Sequence, residues 1–158
     1  MGEFATDVSA SLRDRLAGRT PGWDWETERY VAGTPVDVVG EHGSRFVAVE
    51  LEWRRADPAD NAAKLFRHLA EGTLDADRVA VVQLFTRYYD LASGGVSSKR
   101  ENAEFVGCVA AATLDALSYH PVTFALDPPK RGGERPEGWR DAADAAVDDV
   151  LRAVPAER

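Results

Sequence analysis

Three carboxylates are spaced for metal chemistry: Asp37 in the run Pro35-Val36-Asp37-Val38-Val39, and Glu50 and Glu52 at the end of the run Arg45 to Glu52. Strand side chains alternate with a period of two. Glu50 and Glu52 therefore share one face, and Val49 and Leu51 point to the other. Two acids on one face, beside a third on a neighbouring strand, repel each other unless protons or a divalent cation sit between them. The grouping predicts a Mg2+ or Mn2+ site held by Asp37, Glu50 and Glu52. The same letters also describe acids covering the wet face of a half-buried strand, and both readings stand at this point.

The elements that would position these acids follow from periodicity. Phe4, Val8, Leu12 and Leu16 recur every four residues and predict a first helix ending near Gly18. Trp23 to Tyr30 reads as a strand with Gly33-Thr34 as its turn, and Gly40-Glu41-His42-Gly43 reads as the hairpin turn between the two acid-bearing runs. Together they predict a three-stranded meander. Asp57-Pro58-Ala59-Asp60 then caps a helix carrying Ala63, Leu65, Phe66 and Leu69. The unbroken apolar run Val79 to Leu84 predicts a central strand buried on both faces. A glycine-containing loop from Leu91 to Ser98 leads to a third helix over Lys99 to Leu117, with Phe105, Val109, Thr113 and either Ala112 or Leu117 on one broad stripe. Val122 to Leu126 gives a last strand. Pro128 to Gly138 is a polar connection, and Trp139, Ala143, Val147, Val150 and Val154 mark a closing helix. The expected architecture is α/β, one domain over residues 1–158, with a small mixed central sheet flanked by helices.

Composition narrows the setting. The 158 residues carry 27 Asp plus Glu against 19 Lys plus Arg, a formal charge of −8, which argues against coating nucleic acid by bulk charge but leaves room for a local basic stripe. Such acidity equally fits a protein working at high salt, where repulsion is screened. The single cysteine, Cys108, excludes an internal disulfide and a cysteine zinc cluster, and is expected on a buried helix face. No run reaches the roughly 18 apolar residues of a membrane span and no signal-peptide core is evident, so a cytoplasmic protein that does not engage membranes is expected. His42, His68 and His120 lack metal-ligand spacing, and Ser93-Gly94-Gly95-Val96 lacks the lysine and glycine spacing of a nucleotide loop.

The element order, with Asp37 on the second strand and Glu50-Leu51-Glu52 on the third 13 positions later, resembles the PD-(D/E)xK nuclease superfamily. The likeness covers residues 1–90 in layout. Pro35-Val36-Asp37 departs from a strict Pro-Asp pair, and Glu52 stands where most members carry lysine, as in type II restriction endonucleases with Glu or Gln there. The resemblance implies a restriction endonuclease-like three-layer fold and Mg2+- or Mn2+-dependent hydrolysis of DNA phosphodiesters, with Asp37, Glu50 and Glu52 holding the cation and activating water. It also admits an inactive nuclease-like domain that binds nucleic acid or a partner protein.

In place of the missing lysine, Lys64 on the following helix is the first candidate. Arg54 shares the parity of Glu50 and Glu52 if the strand continues, while Arg55 would point away. Glu3, Asp7 and Glu28 are further acids that the resemblance could bring to the site. Arg87, with Tyr88 and Tyr89, and Lys99 and Arg100 at a helix start, are candidates for contacting a nucleic-acid backbone; capping by Ser97 or Ser98 and surface charge explain the same residues. A domain of this size has little room for a separate sequence reader. Homodimerisation, a partner protein, or recognition of DNA ends and structure would supply specificity, with Trp23, Trp25 and Trp139 as candidate interface aromatics that read equally well as core.

Overall fold

The computed structural model describes residues 2–157. Helix α1 (Glu3–Arg19) precedes strands β1 (Asp24–Val31), β2 (Thr34–His42) and β3 (Arg45–Glu52). Then come α2 (Pro58–Ala70), β4 (Arg78–Phe85), a short 3-10 turn at Arg87–Tyr89, α3 (Ser98–Thr113), β5 (Leu117–Thr123) and α4 (Trp139–Ala153). The strands form one five-stranded sheet in chain order: β1, β2 and β3 pair antiparallel, whereas β3, β4 and β5 pair in parallel. The α/β class, the meander and the alternation of helices and strands match the sequence expectation. Among the described residues, no helix is long and apolar enough to cross a membrane.

Alternation sorts the sheet into two apolar faces. Val38, Val47, Val49, Leu51, Ala80, Val82 and Leu84 pack with Val8, Leu12 and Leu16 of α1 and with Ala143, Val147 and Val150 of α4. On the opposite face, Val39, Phe46, Ala48, Val79 and Val81 meet Ala62, Leu65 and Phe66 of α2, with Val106 and Ala110 of α3 beside them. Each fully buried aliphatic side chain contributes about 1.5–3 kcal/mol. Because β4 is covered on both sides, its run reads apolar without alternation, apart from Gln83. Helix α2 starts as expected: the Asp57 carboxylate accepts from the Asp60 N–H at 3.1 Å, and Pro58 takes the first turn, where no donor is needed.

Four local expectations are corrected. The β2–β3 turn lies at Gly43-Ser44, so Gly40 is inside β2, where a Cβ would stand 2.6 Å from the Trp25 ring. Helix α3 ends at Thr113, and Leu117 opens β5, which places the last strand earlier than Val122 to Leu126. The Phe105–Val109 stripe faces outward, with Phe105 69% and Val109 48% exposed, and Cys108 is exposed beside it. The cause is that α3 packs through its small residues: Ala103 and Gly107 are buried, and Tyr119 fills the space a Cβ on Gly107 would need. Lastly, Trp25 and Trp139 are core residues and Trp23 is half-buried in a stack on Trp25, so these aromatics offer no free interface.

Gly40→Ala tests the sheet register. Forcing a methyl into the Trp25 ring should cost about 1–3 kcal/mol, only partly offset by the ~0.5–1 kcal/mol that alanine gains over glycine in a strand. Urea unfolding should give a lower midpoint at unchanged slope; an unchanged midpoint would contradict this packing.

Candidate functional site

The ladder between β2 and β3 runs from His42–Arg45 to Val38–Val49, and the next positions along the register are Asp37 and Glu50. There the Asp37 carboxylate accepts the Leu51 N–H at 2.7 Å. On its other side, β1 and β2 pair at Thr27–Val38 and Arg29–Val36, flanking a Glu28 held at φ 53°. A non-glycine residue in that region is strained, and such strain collects at functional sites. The sheet thus loosens on both sides of Asp37.

Glu50 and Glu52 emerge from β3 on the α2 side of the sheet and are fully buried, while Asp37 is 9% exposed. Polar groups from two further elements aim at them. Asn61 of α2 donates to Glu50 Oε2 at 3.1 Å and to Glu52 Oε1 at 2.9 Å. Gln83 of β4, which is paired in register with Glu50, donates to Glu52 Oε1 at 2.8 Å and to the Pro58 carbonyl at 3.0 Å. Its own oxygen accepts from the Tyr119 hydroxyl at 2.5 Å, which fixes the amide's orientation. Glu50 Oε1 and Glu52 Oε2 have no hydrogen-bond donor. Arg55 Nε, 3.6 Å from Glu52 Oε2, supplies charge without a hydrogen bond.

These surroundings disfavour three negative charges at once. Burial, then the charges of Asp37 and Glu52, push the Glu50 carboxyl well above its ordinary range. Burial also raises Asp37 and Glu52; the Leu51 N–H opposes the rise at Asp37, and Asn61 and Gln83 oppose it at Glu52. Two buried carboxylate oxygens without donors, in a cluster short of positive charge, are the chemistry a hard divalent cation satisfies. Among the described residues, no three His, Cys, Asp or Glu side chains already stand in metal-holding geometry. The all-oxygen donor set is of the type hard cations take, and amides of Asn61 and Gln83 hold only the other two glutamate oxygens, Glu50 Oε2 and Glu52 Oε1.

The other candidates fall into two groups. Glu3, Glu28, Arg54 and Arg55 line the same open cleft as Asp37, and Asp7 joins its rim through an ion pair with Arg135 at 2.6 Å. The expected parity of the arginines is corrected: β3 ends at Glu52, after which the chain turns, so Arg55 reaches back toward Glu52 while Arg54 donates to the Pro128 carbonyl. Lys64 is exposed and paired with Asp60 at 3.3 Å, in place of the carboxylate cluster. Arg87 pairs with Asp127, and Lys99 lies over Tyr88, both away from the cleft lining. Arg100 is buried, bonded to Glu104 and Thr123 and stacked on Phe85, which makes it a structural residue unable to meet a ligand. Tyr89 is likewise buried, tied to the Arg55 backbone, and Ser97 makes no capping bond.

Sequence reasoning missed Gln83 and the cations of the loop after β5. The signal for Gln83 was a lone amide in an otherwise apolar strand. For Lys130, Arg131 and Arg135 there was only a polar connection, and nothing local ties it to β2. No protein-family model matches the chain, and no curated protein matches it in sequence.

Glu50→Gln tests the buried charge. The folded chain keeps a proton on Glu50 that the unfolded chain gives up above the ordinary value of 4.5. Metal-free stability therefore falls as pH rises from there toward the folded-state value. Glutamine removes that loss and can still accept from Asn61. Its thermal midpoint at pH 8 should exceed wild type by about 2–4 °C, the response to ~1 kcal/mol in a chain of this size. The gap should close near pH 4; a lower midpoint at pH 8 would contradict the account.

Proposed function

We propose that the chain is a divalent-metal-dependent nuclease of the restriction endonuclease-like, PD-(D/E)xK type, which hydrolyses DNA phosphodiesters at the Asp37–Glu50–Glu52 cluster. The observation that carries the reading is the pair of fully buried carboxylates with one donorless oxygen each, next to Asp37 at a loosened point of the sheet. The mixed sheet, meander followed by parallel strands, between helical layers is consistent with that fold.

Asp37, Glu50 and Glu52 would hold the cation, Mg2+ or Mn2+, which would supply Lewis-acid polarisation of the scissile phosphate and a lowered pKa for an attacking water. Leu51, through its N–H, and Asn61 and Gln83, through their amides, orient the three carboxylates. Arg55 does part of the work of the absent lysine: it sits beside Glu52 and opens onto the cleft, where its guanidinium meets phosphate charge. Such outer partners typically matter by about 10–100-fold in affinity or activity.

A second reading is an inactive domain of the same architecture that binds nucleic acid or a partner protein. It is favoured by Glu52 in the usual lysine position, where it is bonded to Asn61 and Gln83, and by Lys64 being engaged with Asp60. Cleavage assays on supercoiled and linear DNA with Mg2+ and with Mn2+, at low and high KCl, separate the two. The nuclease reading expects metal-dependent cleavage that Glu50→Gln abolishes and Asn61→Ala reduces by about 10–100-fold. Intact DNA under all conditions, with wild type and variants alike, would move the function to the second reading.

A further inference from the structure

We infer that the cleft beside Asp37 binds a single-stranded nucleic-acid segment, with Tyr30 stacking on an unpaired base and Lys130 and Arg131 gripping the flanking phosphates. This deepens the nuclease reading and rests on it.

The cleft measures about 1380 Å3, above the roughly 300–1,000 Å3 of small-molecule sites. Basic side chains gather at its mouth. In a chain of formal charge −8, Arg54, Arg55, Lys130, Arg131 and Arg135 all line this one opening, facing the carboxylates Glu3, Glu28 and Asp37. Arg135 is spoken for: it pairs with Asp7 at 2.6 Å and lies over the Phe4 ring at 5.2 Å. Arg54 holds the start of the loop through the Pro128 carbonyl. Between these two anchors Lys130 and Arg131 are exposed, and among the described residues neither pairs with a carboxylate. Two anchored, unneutralised cations above an acidic site are what a polyanion's backbone needs in order to approach that site against its own charge.

Another residue of the lining, Tyr30, selects the kind of polyanion. Tyr30, near the end of β1, is 71% exposed, the most exposed of the large apolar side chains described, and opposes Pro35 across the β1–β2 ladder. A duplex keeps its base faces covered by stacking. An unpaired strand offers a bare face, and an exposed ring beside a cationic track is the arrangement that single-stranded segments use.

The test is fluorescence anisotropy in EDTA, with a labelled single-stranded DNA oligonucleotide and the blunt duplex of the same sequence, over a range of KCl. The single strand should bind more tightly than the duplex. Tyr30→Ala should weaken single-strand binding by about 5- to 150-fold and leave the salt dependence unchanged. Lys130→Ala combined with Arg131→Ala should flatten the slope of log K against log salt by about 1.4, two phosphate contacts at ~0.7 each. All three sites are exposed, and matched thermal midpoints verify folding. Duplex binding at least as tight, an ineffective Tyr30→Ala, or an unchanged salt slope would overturn the inference. Because metal is absent, binding is independent of turnover. Metal-dependent duplex cleavage without single-strand binding overturns this inference and spares the nuclease; single-strand binding without any cleavage supports it and counts against hydrolysis.

Discussion

Glu50 is a carboxylate sealed from water with a second acid across the ladder and a third two residues on, and the rest of the site is arranged around that repulsion. Removing an ion from water costs several kcal/mol even after relaxation. The chain limits the cost with protons and with donors from distant elements: the Leu51 N–H for Asp37, Asn61 for both glutamates, and Gln83 for Glu52. Each donor comes from a different element, so the cluster exists only when β2, β3, α2 and β4 are packed. Tyr119 extends the dependence to β5 by fixing Gln83.

That arrangement leaves negative charge uncompensated. Amides supply hydrogen bonds but no compensating charge, and Arg55 stands too far from Glu52 to donate. Two buried oxygens are left without partners in a site whose walls, two packed apolar layers on a five-stranded sheet, have little freedom to collapse onto them. A group of compact positive charge would relieve the repulsion without moving the sheet. The strained Glu28 and the ladder's end at Val38–Val49 both border Asp37, where the cleft opens.

How much of this was legible in the sequence depended on the range of the interactions. Period-two alternation placed Glu50 and Glu52 on one face, and the spacing to Asp37 set it on the neighbouring strand, because both are local features. Asp57 and Pro58 announced α2 for the same reason. The phase of α3 was not legible. Its obvious Phe105–Val109 stripe faces out because Gly107 must admit Tyr119, a contact made across 12 residues of chain and a strand pairing. Arg54 and Arg55 were assigned by extending a strand that stops at Glu52. Gln83 became meaningful only through the parallel register that sets it beside Glu50, and Lys130 and Arg131 only through a loop that returns to β2 from the far end of the sheet.

The central claim is that the Asp37–Glu50–Glu52 cluster is a cation seat whose protons are displaced on binding. Calorimetric titration of Mn2+ into the metal-free protein at neutral pH, repeated in buffers of different ionisation enthalpy, measures the metal bound and the protons released together. The account predicts saturable binding with proton release, both lost in Asp37→Asn combined with Glu50→Gln. Binding without proton release, or binding that survives the double substitution, would contradict it.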